Sequence, residues 1–346
     1  MRAAVVRAHG DRRNIRVEDL PRPDIEDPTD VVVRVRACAL NRLDVFIRRG
    51  LSGPGVRSAE LPHVSGADVA GEVVHVGGAV QRWRTGDRVV VYPGLSCGGC
   101  GPCERGEDTM CREYRIFGED VWGGLAEYCR VPSKNLEPLP DGISFEKAAA
   151  LPVAYTTAWR MVVSAGRLLP NERVLVLGAG GGVGTAAIQI SKTLGACVLG
   201  VTSGAEKVER LQEIGVDRAI DRQTEDFETV ALEETGGTGV DMVVNPVGGS
   251  TWRPAIRSLA MGGRMLVCGA TIGDDPEMSI RELYQSHRQV LGAPLGNRRD
   301  FRAALDSLAR GNLDPWVYAS LSLEETSEAH RLVEEGETFG KVIVVP

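Results

Sequence analysis

The sequence predicts an α/β protein with two domains, one rich in β-strands and one built around a doubly wound parallel sheet. Two observations predict this class. Up to about residue 140 the chain consists of short alternating strands, such as Val31–Ala37, separated by turns. Over residues 154–296, all-apolar strands alternate with segments that carry apolar residues at helical spacing.

The end of the chain assigns the domain boundaries. Lys341 begins a closing strand that is expected to rejoin the strand-rich domain, and an amphipathic helix precedes it at Asp300–Arg310. We therefore predict that residues 1–153 and 297–346 form one domain and that residues 154–296 form the other. A cysteine-rich lobe over residues 94–112 belongs to the first.

Bulk composition excludes several classes of protein. The 346 residues carry a formal net charge of -7, whereas nucleic-acid binding favours a basic chain. No apolar run approaches the roughly 20 residues of a membrane span, and no signal-like segment precedes the first strand. A cytoplasmic protein is expected. Eight cysteines in a chain of this length do not indicate a disulfide framework.

A strand, a glycine turn and a helix form the centre of the second domain. Arg173–Leu177 is apolar after its first residue, and Val183–Leu194 has a helical apolar pattern. Between them, Ala179-x-Gly181-x-x-Gly184 allows backbone N–H groups and a helix N-terminus to approach a dinucleotide pyrophosphate. We expect Gly181, Gly182, Val183 and Gly184 to bind the cofactor. The alternative is a tightly packed turn that binds nothing.

Four cysteines lie in a glycine-rich loop at the spacing of a metal site: Cys97, Cys100, Cys103 and Cys111. Short spacings let three thiolates converge on one ion, and the fourth completes a tetrahedron with no open position. This pattern predicts a structural Zn²⁺ rather than a catalytic one. The alternative is four reduced cysteines without metal.

A series of glycines, valines and a tryptophan in the first domain resembles the signature of the medium-chain dehydrogenase/reductase family. The spaced residues are Gly71, Val73, Val76, Gly77, Val80, Trp83, Gly86, Asp87 and Val89. The resemblance extends through the glycine turn to Gly340-Lys341-x-Ile343 and covers essentially the whole chain. It implies a GroES-like β-barrel catalytic domain, a Rossmann cofactor domain and the structural zinc lobe of the zinc-containing alcohol dehydrogenases.

The resemblance fails at the catalytic zinc of those alcohol dehydrogenases. Asn41 stands at the position of the first cysteine ligand, Ala67 at that of the histidine, and about Val153 at that of the second cysteine. His63 is a single histidine and does not replace them. We expect no catalytic zinc. Asn41 instead resembles the quinone oxidoreductase branch, whose members transfer hydride from NADPH to a conjugated double bond.

The strand after the glycine turn predicts which dinucleotide binds. Cys197–Thr202 ends without the Asp or Glu that binds the ribose diol of NAD. Ser203 and Lys207 follow, and a hydroxyl and an ammonium suit the 2′-phosphate of NADPH. NADH is the less favoured cofactor. The alternative for Lys207 is an ordinary solvated helix residue, and Arg210 is a weaker candidate for the same phosphate.

Further cofactor contacts come from the resemblance alone. It implies that Val247, Gly248 and Gly269 line the nicotinamide and its ribose, and that Thr157 lies against the nicotinamide ring. It also implies a cofactor contact for Lys341. Packing roles for the small residues remain an alternative.

Together these features predict an NADPH-dependent oxidoreductase that reduces an enone, quinone or enoyl thioester without catalytic zinc. Asn41 is expected to orient nicotinamide or substrate, and the phenols of Tyr92 and Tyr155 are the candidate proton donors. A zinc-type alcohol dehydrogenase with atypical ligands is one alternative. A non-catalytic NADPH-binding protein, similar to a crystallin or an RNA-binding relative, is another.

The sequence implies a small-molecule substrate as a partner. The resemblance also implies that the chain assembles with further copies of itself into a homodimer or homotetramer. The sequence assigns no substrate. The loops Gly50–Glu60 and Ser279–Gln289 are expected to shape the pocket, but neither contains residues in a pattern that indicates a particular substrate.

Overall fold

The computed structural model describes residues 1–51, 58–274 and 277–346. Most of the pocket loop Gly50–Glu60, from 52 to 57, therefore lies outside the described residues. Contacts between Cα atoms divide the chain into two compact units. Unit 1 contains Met1–Val153, Asn297–Leu305 and Pro315–Pro346, and unit 2 contains Ala154–Gly296 and Asp306–Asp314.

The secondary structure of the first part of the chain is mostly β. The elements are β1 (Arg2–Val6), β2 (Ile15–Asp19), β3 (Asp30–Ala39), α1 (Arg42–Arg49), β4 (Asp68–Val76), β5 (Arg88–Val91), β6 (Gly94–Leu95), α2 (Gly101–Glu104), β7 (Arg115–Ile116), β8 (Tyr128–Pro132), β9 (Leu136–Pro138) and α3 (Phe145–Ala149).

Strands and helices then alternate. The elements are α4 (Pro152–Trp159), which continues as a π-helical turn over Arg160–Ala165, β10 (Arg173–Leu177), α5 (Gly182–Thr193), β11 (Cys197–Thr202), α6 (Ala205–Glu213), β12 (Arg218–Asp221), α7 (Phe227–Glu234), β13 (Val240–Asn245), α8 (Trp252–Arg257), β14 (Leu259–Val267), α9 (Ile280–Gln285) and β15 (Gln289–Gly292).

The last part of the chain contains α10 (Arg298–Ala309), β16 (Val317–Ser322), α11 (Thr326–Glu335) and β17 (Lys341–Val345). Residues Asp306–Asp314 cluster with unit 2, whereas the sequence analysis assigned them to the first domain. Two hydrogen bonds hold this segment against α5 of unit 2. The Gln189 side chain accepts from the backbone N–H of Asp314 at 2.8 Å and donates to the backbone carbonyl of Asp314 at 2.9 Å.

Unit 1 is built on a seven-stranded sheet with the order β16-β17-β3-β4-β5-β9, in which β8 also pairs with β3. The centre of this sheet is β3, which is antiparallel to both β4 and β17. Val31, Val33 and Val35 of β3 are buried and join one large core with residues of β4, β5 and β8. The closing strand predicted at Lys341 thus rejoins the N-terminal strands, as expected.

Unit 2 is a six-stranded, all-parallel sheet with the order β12-β11-β10-β13-β14-β15. The strand order is that of the doubly wound dinucleotide-binding fold, with the switch point between β10 and β13. β10 and β11 form over the residues predicted from sequence. Four consecutive buried residues, Val174–Leu177, explain why β10 lies at the centre. The predicted α/β class is therefore confirmed.

Within the described ranges, the helices are too short or too polar to cross a lipid bilayer.

Candidate active site

Two strand pairings bring three polar residues of unit 1 together. In the middle of the sheet, Ala39 at the end of β3 pairs with Asp68 on β4 and with Ile343 on β17. Asp68 and Lys341 are the first residues of their strands, and Asn41 follows β3 by two positions as the residue before α1. Lys341 therefore meets Asp68 and Asn41, which precede it by 273 and 300 positions, where these strands begin or end.

A carboxylate, an ammonium and an amide form a closed network there. The Lys341 Nζ donates to Asp68 Oδ2 at 2.8 Å and also to Asn41 Oδ1. The Asn41 Nδ2 donates to the same Asp68 oxygen at 2.9 Å, and the Val153 N–H donates to Asp68 Oδ1 at 2.7 Å. Asp68 and Lys341 are 0% and 3% exposed, so the charges neutralise each other away from solvent.

A second carboxylate holds the backbone around this network. Asp44 Oδ2 accepts from the Asn41 N–H at 2.7 Å, and its Oδ1 accepts from the Gly66 N–H at 2.9 Å. Gly66 has φ of +104°, a conformation that favours glycine. Burial raises the pKa of Asp44 to about 6. The side chain fixes α1 and the turn before β4 in one arrangement.

The donor set of this network does not fit a catalytic zinc. The oxygen of Asn41 already accepts from an ammonium, Ala67 has no donor atom, and Val153 offers an N–H rather than a lone pair. Across residues 1–51, 58–274 and 277–346, one set of three or more His, Cys, Asp or Glu side chains could share an ion, and it is the cysteine lobe.

The four cysteines of the lobe fit a structural zinc. Their Sγ atoms all lie within 4.8 Å of one another, with separations of 3.6 Å for Cys111–Cys97, 3.4 Å for Cys100–Cys103 and 3.9 Å for Cys97–Cys103. Zn–S bonds of about 2.3 Å in a tetrahedron place the sulfur atoms about 3.8 Å apart. Hydrogen bonds from the Gly99 N–H and from Cys111 lower the pKa of Cys97, whereas the pKa of the neighbouring Cys100 is raised by its side-chain hydrogen bond with Cys103 and by burial. The fit to zinc therefore rests on the geometry of the four sulfur atoms.

The glycine turn of unit 2 has the close packing that a dinucleotide site needs. A Cβ on Gly184 would lie 2.3 Å from the carbonyl oxygen of Gly178, so only glycine fits. Gly181 precedes α5, and Gly182, Val183 and Gly184 form its first turn. The free N–H groups of that turn can bind a pyrophosphate. These residues fit a nicotinamide dinucleotide.

The carboxyl ends of β10, β13 and β14 bring other predicted cofactor residues together. A Cβ on Gly178 would be 3.1 Å from Val247 Cγ2, and one on Gly248 would be 2.9 Å from the Cα of Ala270. Gly269 lies equally close to the β13 end, since a Cβ there would be 2.8 Å from the Pro246 carbonyl oxygen. Thr157 is buried on α4.

Asn245 holds the loop that follows β13. Its Oδ1 accepts from the N–H groups of Val247 and Gly248 at 2.9 and 3.0 Å. This amide is buried, and no motif in the sequence distinguishes it from an ordinary strand residue. Its position fixes the backbone where the resemblance places the nicotinamide.

Three cationic or hydroxyl side chains lie at the ends of β11 and β12. Ser203 follows β11 and Lys207 stands in the first turn of α6, as predicted. Arg222, which no sequence motif indicated, is the residue after β12; it is exposed, and its N–H donates to the Thr202 carbonyl at 3.0 Å. The signal was available, because neighbouring parallel strands end at the same sheet edge.

The two candidate phenols occupy buried positions. Tyr92 is fully buried and donates to Asp108 Oδ2 at 2.8 Å, and Tyr155 accepts from Gln189 Nε2 at 3.1 Å. Burial raises the pKa of both hydroxyls. Each side chain packs within the core of its own unit, and this placement supports neither as the proton donor.

Comparisons with known proteins agree with both units. The family model described as the alcohol dehydrogenase GroES-like domain matches residues 27–141, and the zinc-binding dehydrogenase model matches residues 182–310. An NAD-dependent alcohol dehydrogenase of Sulfolobus acidocaldarius is 31% identical over 95% of this chain and 96% of its own length. An acryloyl-coenzyme A reductase of Metallosphaera sedula is 30% identical over 99% of both chains.

A solved structure shows how closely the fold is shared. The crystal structure of an NAD-dependent alcohol dehydrogenase superimposes with a TM-score of 0.95 at 40% identity and covers 100% of both chains. Relatives of two reaction types, alcohol oxidation and enoyl-thioester reduction, are thus about equally similar to this chain.

Proposed function

Because the chain belongs to the zinc-binding dehydrogenase family, within the medium-chain dehydrogenase/reductase oxidoreductases, we propose that it is an NADPH-dependent reductase of activated double bonds. Its acceptors are small α,β-unsaturated carbonyl compounds, with enoyl thioesters favoured over quinones. The acryloyl-coenzyme A reductase among its relatives supports the thioester class.

The observation that carries this proposal is the Asn41–Asp68–Lys341 network, in which Asn41 stands where the resemblance expects the first zinc ligand and is bonded to a carboxylate and an ammonium instead. An alcohol must lose a proton to become a hydride donor, and zinc assists that loss in the alcohol dehydrogenases. A conjugated carbonyl needs only hydrogen-bond donors at the oxygen where negative charge develops. The network supplies hydrogen-bond donors, and its side chains do not form a ligand set for a Lewis-acid metal ion.

The donors can be counted. An ammonium has three N–H groups, and the bonds to Asn41 and Asp68 use two of those on Lys341. The amide nitrogen of Asn41 has two N–H groups, and one of them donates to Asp68. In the proposal, the remaining N–H groups hold the carbonyl oxygen of the acceptor, and Asp68 keeps both donors in place.

The second unit would hold the cofactor. NADPH supplies a hydride from its nicotinamide when bound. Gly181, Gly182, Val183 and Gly184 would bind the pyrophosphate, and Ser203, Lys207 and Arg222 would bind the 2′-phosphate. Val247, Gly248, Gly269 and Thr157 would line the nicotinamide end, in line with the resemblance.

A turnover assay tests the proposal. Zinc-loaded protein is incubated with NADPH and a panel of enones, quinones and short enoyl-coenzyme A thioesters, and NADPH oxidation is followed together with product formation. We expect turnover of at least one thioester. The same protein is assayed with NAD⁺ or NADP⁺ and primary and secondary alcohols. Alcohol oxidation without any alkene reduction would instead identify an alcohol dehydrogenase with atypical ligands, and NADPH binding without turnover would identify a non-catalytic protein.

A further inference from the structure

The proton that completes alkene reduction has no donor in the network just described. After hydride addition, the α-carbon of the acceptor needs one proton, while the ammonium and amide are committed to the carbonyl oxygen. The acid for this step must lie on a segment that packs against the network and must have no other hydrogen-bond partner.

A tight loop from Gly118 to Gly124 packs on the turn that leads into β4. Gly124 N–H donates to the Gly66 carbonyl at 2.8 Å, and Gly123 N–H donates to that of Val64 at 2.7 Å. Gly118 has φ of +83°, and a Cβ on it would lie 2.6 Å from the carbonyl carbon of Gly66. The loop is thus held against the segment that Asp44 ties to Asn41.

Glu119 is the ionisable residue at the start of this loop. Its backbone N–H donates to Ile116 at 3.1 Å, and its side chain is half-buried. In the described part of the chain its carboxyl has no hydrogen-bond partner, whereas the neighbouring Asp120 accepts from the Ile116 N–H at 2.7 Å. A partly desolvated carboxyl without a hydrogen-bond partner, on a loop packed against Gly66, is free to bind and release a proton.

We propose that Glu119 is the proton donor of the site and delivers its carboxyl proton to the α-carbon of the reduced acceptor. This inference rests on the proposed function. NADPH, when bound, would supply the hydride for the new C–H bond at the β-carbon and become NADP⁺, while the alkene π electrons would move to the carbonyl oxygen. The enolate then takes the proton: the Glu119 O–H bond breaks, the α-carbon C–H bond forms, and water reprotonates the carboxylate.

The surroundings of Glu119 suit an acid that works near neutral pH. Burial first, and then the carboxylates of Asp120 and Asp44, raise the pKa of Glu119 to about 7. Burial and Asp108 raise the pKa of Tyr114, and Glu119 adds to that effect; burial lowers the pKa of His63, and the Asp120 carboxylate opposes it. General acids contribute most when their pKa lies near the operating pH.

The test compares Glu119→Gln with the wild type and with Asp120→Asn. In the wild type, kcat/KM for the acceptor that the enzyme reduces should fall as the pH rises through about 7, because the acid loses its proton. Glu119→Gln should lower kcat about 100-fold or more and abolish the fall of kcat/KM near pH 7. Asp120→Asn keeps an acceptor oxygen for the Ile116 N–H and should retain activity. The fall of kcat/KM should move to lower pH, because the Asp120 carboxylate no longer raises the pKa of Glu119.

Two further readouts do not depend on the rate. Infrared difference titration of the zinc-loaded protein without cofactor should show a carboxyl that titrates near pH 7 in the wild type and is absent in Glu119→Gln. In D₂O, the wild-type product should carry deuterium at the α-carbon on one face only. The Glu119→Gln product should be deuterated on both faces, because water then supplies the proton.

The outcomes separate the two proposals. A wild type that reduces no acceptor overturns the proposed function and the catalytic role of Glu119 with it. A wild type that reduces a thioester, together with a Glu119→Gln variant of equal kcat, pH profile and deuterium pattern, overturns the role of Glu119 alone. Unchanged thermal unfolding and zinc content in Glu119→Gln show that a lost rate is not lost folding.

Discussion

The Nζ of Lys341 lies 2.8 Å from Oδ2 of Asp68, and the two side chains are 3% and 0% exposed. This pair joins the last strand of the chain to the middle of the N-terminal sheet. Because neither charge reaches solvent, each depends on the other for neutralisation.

Removing one partner should therefore be costly. We expect Lys341→Met to lower the free energy of unfolding by about 3–5 kcal/mol, since Asp68 remains buried without a counter-charge. Urea denaturation followed by circular dichroism measures it. The control is Arg7→Gln, which breaks an exposed 2.6 Å ion pair with Glu18 and should cost about 0–1 kcal/mol. Equal effects for both variants would contradict a buried role for the pair.

Metal analysis should find one zinc per chain, held by the cysteine lobe. Cys103→Ser should lose that zinc and lower Tm by about 5–10 °C, because the ion supports a loop with a sparse core of its own. Cys38→Ser, on the buried strand β3, is the control and should keep the metal. A second tightly bound zinc in the wild type would contradict the argument that Asn41 and its neighbours do not fit a catalytic ion.

The glycine turn offers a pair of matched substitutions. Gly184→Ala should destabilise the protein by about 1–3 kcal/mol and abolish cofactor binding, since its Cβ would lie 2.3 Å from the Gly178 oxygen. Gly181→Ala meets the same oxygen at 3.3 Å and should leave stability nearly unchanged while raising the Kd for NADPH. Thermal unfolding with and without NADPH distinguishes the two. Two variants with the same loss of stability would show that the turn has only a packing role.

Cofactor preference should depend on the ends of β11 and β12. Arg222→Gln should raise the Kd for NADPH about tenfold and leave the Kd for NADH unchanged, because only NADPH carries the 2′-phosphate. Lys207→Gln should act in the same direction. Arg281→Gln, exposed on α9 of the same unit, is the control and should change neither constant. Tighter binding of NADH than of NADPH by the wild type would exclude the 2′-phosphate site.

A buried histidine should make the fold sensitive to acid. His330 on α11 is 1% exposed, and burial lowers its pKa to about 3, with Arg48 adding to the effect. The unfolded chain binds this proton below the ordinary pKa of 6.5 and the folded chain does not. His330 should thus contribute a slope in which stability falls by about 2 kcal/mol from pH 6.5 to 5, opposed by the raised pKa values of Asp44 and Glu119. In urea titrations, His330→Leu should remove this slope and the exposed His75→Gln should keep it.

Local patterns were sufficient to predict much of this protein. Runs such as Arg173–Leu177 and Cys197–Thr202 are apolar enough to specify buried parallel strands, and both form over those residues. Cysteine spacing predicted one compact thiol cluster, because the loop is short and its geometry is local. Ser322 and Glu325 form a capping box, a local pattern of the same kind, which opens a 3₁₀ turn before α11.

Other features depend on strand pairing across the chain. The sequence placed Asn41 at the site by resemblance but gave no reason for Asp68 or Lys341 to bind it. Arg222 and Glu119 carried no motif at all. Tyr92 and Tyr155 were candidate acids until their burial and their partners were known.

The sequence by itself determined the α/β class, the glycine turn and the four-cysteine cluster, because each depends on residue types at short spacing. The resemblance implied the loss of the catalytic zinc ligands at Asn41, Ala67 and about Val153. Only the tertiary structure decided what replaces that zinc site. The pairing of β17 with β3 and of β3 with β4 places an ammonium, a carboxylate and an amide in contact, and such long-range register cannot be read from local spacing.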